Sequence, residues 1–320
     1  MFNLHCRNVM GWLAVGTLLA GCQSGSVVSS APDSNRTLEH AMGRSQVLMT
    51  PQRVVVLDTA PLDAALALGI KPAGTVLSGK PPDYLGDQVD GIETVGETNQ
   101  PNLETVSKIR PDLILGSKIS HEKIYRQLSQ IAPTVLTEGS GREDDWQENF
   151  QLYAEALGRS EQAKQLLEVY RQKVQQLQAI IDQPQALEIS VLIISNDVVR
   201  AYTTGSFSGS ILQDIGFSRT PVQDDDEGYA LQLSPEALDA MDGDYIFLIY
   251  STSRPGRLSK ADFITHPLWS QLEAVQQDRV CQVSSHVWIS GRNFLAANQI
   301  LTDIETCLEP GDVETVERVE

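Results

Sequence analysis

Positive charge is scarce in this chain. Its 320 residues carry 24 Lys and Arg against 42 Asp and Glu, a formal net charge of −18. A nucleic-acid binder normally needs a basic face, so this balance argues against that class. An anionic ligand would have to be met by a local cluster of cations, against the field of the whole chain. Histidine is nearly as scarce, with five residues and no metal-ligand spacing among them. Of four cysteines, Cys6 and Cys22 lie near the N-terminus, which leaves Cys281 and Cys307 for the globular part. The sequence leaves open whether these two form a bridge or remain buried thiols, because pairing depends on a Cα separation that spacing does not give. Apart from the first residues, no apolar run is long enough to cross a bilayer.

Catalytic signatures are missing too. "GTVLSGKP" (74–81) follows phosphate-loop spacing up to Lys80, but Pro81 stands where Ser or Thr would hold Mg²⁺ and Pro81-Pro82 ends any helix there. In "GSFSG" (205–209) the serine is one place off a nucleophile elbow. "HEKIY" lacks the second histidine of a zinc-protease helix, and "QDDDEG" lacks the alternate-position register of a calcium loop. No catalytic residue and no protein-held metal or cofactor is therefore expected.

What is present divides into blocks. "MFNLHCRNVMGWLAVGTLLAGC" has a weakly basic start and an apolar run, as a secretory signal does. It ends in Leu19-Ala20-Gly21-Cys22, which resembles the lipobox of bacterial lipoproteins and implies that Cys22 is lipidated after removal of 1–21. Residues 22–38, rich in Ser, Gly, Pro and Asn, are expected to be a flexible tether. From 39 to 142 strand and helix patterns alternate, beginning with the β-branched run "QRVVVLD" (52–58) and the helical "TAPLDAALALGI", which Gly69 stops. Residues 143–183 carry no strand signal, and an uninterrupted helix is expected over 161–181, about 30 Å long, with Ser160 as its cap. Alternation resumes over 184–309. Such alternation means α/β layers around a parallel sheet. An acidic tail, 310–320, closes the chain.

The two α/β blocks share a phrase. "PNLETVSKIRPDLIL" and "LSPEALDAMDGDYIFL" each place a helix-capping residue, Asn102 or Ser234, two positions before a glutamate, Glu104 or Glu236. Each glutamate is followed eight positions later by an aspartate, Asp112 or Asp244, and then by an apolar strand. The match in register predicts two similar halves.

Together with "HAMGRSQVLMTPQRVVVLD", "ALGIKPAG", "SKISHEKIYRQLSQIAPTV", "TTGSFSGSILQDIGF" and "HPLWSQLEAVQQDRVCQVSSHVWISGRNFLAANQILTDI", these segments resemble the periplasmic substrate-binding lipoproteins of ABC importers for ferric siderophores, heme and cobalamin. The resemblance spans about Glu39 to Leu308 and is nearest to the ferric-siderophore and ferric-citrate branch. It implies the helical-backbone periplasmic binding protein fold: two Rossmann-like α/β lobes joined by a single long, rigid α-helix. It also implies a ferric siderophore of hydroxamate or citrate type in the interlobe cleft, an ABC permease with its ATPase as partner, a monomer lipid-anchored in the periplasm, and no enzymatic activity. Cobalamin or heme, and bare Fe³⁺, are the alternative cargoes. By resemblance Glu104 and Glu236 dock onto arginines of the permease. A carboxylate in a first helical turn is stabilised there by the helix dipole. Positions that follow strands point into such a cleft, which makes Lys118, Arg200, Tyr202, Tyr250, Arg254, Trp288 and Arg292 the expected ligand contacts. Citrate-type relatives carry Arg where this chain has Ser120, and hydroxamate-type relatives carry Arg where it has Thr98. Lys118 is expected to supply the missing charge.

Overall fold

The triplet Val54-Val55-Val56 is buried throughout, as a parallel strand covered on both faces requires. In the computed structural model, which describes residues 35–77, 81–195, 198–250 and 267–308, it forms the centre of the first of two main sheets. The first sheet is parallel, in the order β5 (Glu93–Thr94), β4 (Gly74–Thr75), β3 (Val54–Val56), β8 (Leu113–Ser117), β9 (Thr134–Thr137). The second runs β13 (Ala230–Leu233), β11 (Val198–Tyr202), β10 (Glu188–Ser195), β14 (Tyr245–Tyr250), β15 (Val280–Ser284), with β12 (Ser218–Arg219) beside β10. Hairpins β1 (Asn35–His40) with β2 (Gly43–Leu48) and β6 (Gly96–Glu97) with β7 (Gln100–Pro101) complete the strands among the described residues.

Helices α1 (Thr59–Ala67), α2 (Leu103–Ile109), α3 (Lys118–His121) and α4 (Tyr125–Ile131) belong to the first lobe. The connector is α5 (Trp146–Ala156) followed by α6 (Ser160–Ile180), which at 21 residues is about 31 Å long. Ala163, Leu167, Tyr170, Val174 and Leu177 make its buried stripe, and Tyr170 meets Trp146 edge-on at 5.1 Å. The second lobe adds α7 (Phe207–Ile215) and a closing helix, Phe294–Leu308.

Two boundaries differ from the sequence reading. Asn35–Leu38, expected as tether, already belong to β1, because the hairpin docks on β9: the Ala41 N–H donates to the Leu136 carbonyl at 3.0 Å and the Ser45 hydroxyl to that of Thr134 at 3.0 Å. Ser160 is the first helical residue rather than the cap, a position taken by Arg159. The signal segment 1–21, Cys22 and the tail 310–320 lie outside the described residues. Among the described residues no helix is long and apolar enough to cross a membrane.

The shared phrase has a physical basis. Asp112 accepts from the N–H groups of Gln52 and Arg53 at 2.8 and 2.9 Å, while its own N–H donates to the Arg53 carbonyl at 3.0 Å. In the second lobe Asp244 accepts from the Glu188 N–H at 2.8 Å and donates to the Glu188 carbonyl at 2.7 Å. Each aspartate thus stitches the amino end of one central strand to its neighbour, β3 to β8 and β10 to β14. The helices before them differ. Asn102 Oδ1 accepts from the Thr105 N–H at 3.0 Å and caps α2. Pro235–Met241 is a 3₁₀ helix in which the Ala237 N–H bonds the Ser234 carbonyl at 3.1 Å, so the donor expected to meet the Ser234 side chain is already used.

Cys281 and Cys307 are bridged, with Cα atoms 6.0 Å apart, tying β15 to the last turn of the closing helix. Closing a loop of 26 residues restricts the unfolded chain, so Cys281→Ser is expected to cost about 3 kcal/mol. Urea unfolding checks this: reductant should bring the wild-type midpoint down to that of the variant and leave the variant unmoved. Coincident midpoints under all conditions would contradict it.

Candidate functional site

The carboxyl ends of the two sheets meet at a buried polar seam. β3 delivers Asp58 and Thr59, and β9 leads to Ser140; the facing segment is the π-helix His286–Gly291 that follows β15, with Arg292 just beyond it. The Arg292 guanidinium donates to Asp58 Oδ1 at 2.5 Å, Thr59 Oγ1 at 2.7 Å, the Ser140 carbonyl at 2.9 Å and the Ser290 carbonyl at 3.3 Å. The Thr59 hydroxyl donates to the Ser290 carbonyl at 2.6 Å. Both members of the Asp58–Arg292 ion pair are buried. Arg292 adopts a left-handed backbone, φ 57°, a conformation that persists only where surrounding bonds impose it. Gly141, φ 79°, lies against it, and a Cβ there would stand 2.5 Å from the Arg292 carbonyl oxygen.

One helical turn along α1, Asp63 reaches the closing helix that follows Arg292. Its carboxylate accepts from the Leu295 and Ala296 N–H groups at 2.8 and 3.0 Å, satisfying orphan donors at the start of the closing helix, and from the Tyr84 hydroxyl at 3.2 Å. Burial pushes the Asp63 carboxyl up to about 7, against the pull of those three donors. The folded protein then holds a proton that the unfolded chain has lost, so this group's contribution is fully present below the ordinary carboxylate range and is lost as pH rises through about 7. Burial holds His121 and His40 below the ordinary imidazole value, which gives the opposite slope: their contribution is lost as pH falls below that value. The difference between wild type and Asp63→Asn isolates the first effect. Unfolding free energies from pH 5 to pH 8 should fall more steeply for the wild type, by a few kcal/mol. Parallel curves would contradict it.

The expected ligand contacts fall into three groups. Lys118 begins α3 directly after β8 and pairs with Glu138, which follows β9, at 2.5 Å. Arg200 is half-buried in β11, opposite Ile193 near the carboxyl end of β10. The side chain of Tyr250 and all of Arg254 lie outside the described residues. The remaining three are turned inward, where the sequence reading expected ligand contacts. Trp288 is 1% exposed, stacked on Phe247 at 4.7 Å, and its indole N–H donates to Asp303 at 2.8 Å, so it anchors the core of the second lobe. Arg292 is consumed by the seam. Tyr202 is 4% exposed. Arg200 and Tyr202 do not follow a strand end but lie within a strand, β11, which pairs antiparallel with β10.

The sequence reading missed His121 as a positioning residue. It is fully buried; the Ser117 N–H donates to Nδ1 at 3.2 Å and Nε2 donates to the Thr98 carbonyl at 3.0 Å. Nδ1 also lies 3.0 Å from the Ser117 carbonyl, and burial disfavours the charged ring. The ring ties the end of β8, and with it Lys118, to the β6–β7 hairpin. A Cβ on Gly116 would stand 2.7 Å from Nδ1, so the glycine lets the ring lie against β8. Asp58 and Asp63 were also missed, although a lone aspartate inside "PLDAALA" was a signal.

Both glutamates of the shared phrase are exposed. Glu104 pairs with Lys108 one turn on, at 2.8 Å. Among the described residues no cluster of three or more His, Cys, Asp or Glu is placed to hold a metal ion. A recess lined by Glu188, Asp242, Asp244, Glu273 and Arg279 lies at the amino ends of β10, β14 and β15, the opposite edge from the seam. Its acidic lining disfavours an anion.

Two parallel-centred lobes, a helical connector and a seam at the strand ends define a two-lobed binding scaffold. The chain belongs to the periplasmic binding protein family, whose model matches residues 54–286. It is 33% identical to the probable siderophore-binding lipoprotein YfiY of Bacillus subtilis, over 94% of this chain and 97% of that one. It is 30% identical to the Fe(3+)-citrate-binding protein YfmC of the same organism, over 90% and 91% of the two chains. Among solved structures it resembles Staphylococcus aureus SirA complexed with staphyloferrin B, with a TM-score of 0.75 and 32% identity, over 85% of this chain and 98% of that one.

Proposed function

We propose that this protein is a lipid-anchored periplasmic receptor for a ferric siderophore of citrate or hydroxamate type, which it delivers to an ABC permease and its ATPase. The observation that carries the reading is full-length similarity to a relative named a siderophore-binding lipoprotein. The iron arrives chelated, so the protein meets an oxygen-rich, often anionic surface and performs no reaction. Lys118, from the end of β8, and Arg200, near the end of β10, supply charge from the two lobes; Tyr250 and Arg254 remain proposed contacts by sequence. Glu104 and Glu236 dock on the permease, one from each lobe, and Cys22 carries the lipid. The protein acts as a monomer.

The test is uptake of radioactive iron by the cells that make it. Deleting the gene should abolish uptake from one ferric chelate and leave uptake of cobalamin and heme unchanged. Loss of cobalamin or heme uptake, with iron uptake intact, would replace this cargo with another.

A further inference from the structure

Among the described residues that directly follow the strands of the first sheet (Leu57, Val76, Val95, Lys118 and Glu138), Lys118 is the one cation. It is also already occupied. Its ammonium lies 2.5 Å from a carboxylate oxygen of Glu138, the residue after the neighbouring strand β9. His121 fixes the backbone on which Lys118 stands, through Ser117 and the Thr98 carbonyl. The Glu138 side chain is 73% exposed and that of Lys118 31% exposed. A pair this open to water is weakly held. An ammonium has three N–H donors, so a chelate carboxylate can share it with Glu138 or displace Glu138, and in either case lies close to that like charge.

We propose that Glu138 is a specificity-determining residue: it acts as an internal competitor for Lys118 and so tunes the affinity for anionic ferric chelates while leaving uncharged ones unaffected. The inference rests on the receptor reading above. It predicts that Glu138 lowers affinity, the reverse of what a direct ligand contact would do.

The experiment is calorimetric titration of the full-length protein in detergent with ferric citrate and with an uncharged ferric trihydroxamate. Glu138→Gln should tighten ferric citrate binding about three- to fivefold and leave the trihydroxamate unchanged. Lys118→Met should weaken ferric citrate binding by about tenfold or more, and in that background the gain from Glu138→Gln should shrink. Both variants change exposed or half-exposed positions, and unchanged melting temperatures would show that folding is not the cause. Ferric citrate affinity that is unchanged or weakened in Glu138→Gln, while the wild type binds, overturns the inference. Wild-type protein that binds no ferric chelate overturns the receptor reading itself.

Discussion

Replacing Arg292 with Met will destabilise the protein by about 3–5 kcal/mol, because it strands the buried Asp58 carboxylate without its partner. The guanidinium also serves Thr59 and the carbonyls of Ser140 and Ser290, so one substitution removes a donor from four acceptors at the junction of the lobes. Methionine keeps much of the stem's volume, which confines the effect to charge and hydrogen bonding. Adding Asp58→Ser should recover part of the loss. Serine can still cap α1, where Asp58 now accepts from the Thr59 N–H at 2.8 Å, and no buried charge is left alone. Urea unfolding of both single variants and the double variant measures the coupling. Additive losses would mean that the pair does not act as a unit. A variant of unchanged stability that no longer binds ligand would return Arg292 to the ligand site.

Reversing the two charges proposed to dock on the permease, Glu104→Arg with Glu236→Arg, will lower uptake more than a hundredfold while ferric-chelate affinity in solution stays within about twofold. Like charges set against each other across an interface cost several kcal/mol. Both glutamates are exposed and stand at matching places, each in the first turn of the helix that leads into the strand beside the central one of its sheet, β8 beside β3 and β14 beside β10. The pairing of Glu104 with Lys108 is an exposed i,i+4 contact and is readily exchanged for an arginine of a partner. Radioactive-iron uptake and calorimetry on the same variants separate the two functions. Uptake at the wild-type level would remove these residues from the docking surface, and lost affinity would place them in the ligand site.

Much of the architecture was legible because its signals are local. β-branched runs, a helix without Pro or Gly, and the repeated spacing from glutamate to aspartate marked strands, connector and the two halves. The repeat proved more informative than its residues alone, since Asp112 and Asp244 perform the same stitching in both sheets. The site was less legible. Position after a strand is a backbone property, whereas burial of a side chain depends on the other lobe and on packing remote in sequence. Trp288 and Lys118 follow strands alike, yet one stacks on Phe247 and the other meets solvent. Arg292 carries the same charge whether it greets a ligand or Asp58, 234 residues away. Asp63 read as an oddity in an apolar helix until the closing helix supplied the N–H groups that it satisfies.

The most direct test of the receptor reading is calorimetric titration of the full-length protein with ferric citrate, a ferric dihydroxamate, a ferric trihydroxamate, cobalamin and heme, each beside its iron-free or metal-free control where one exists. Saturable binding of one ferric chelate at micromolar affinity or tighter, with no heat from cobalamin or heme, is the expected result. Binding of cobalamin or heme with silence from every ferric chelate would contradict it.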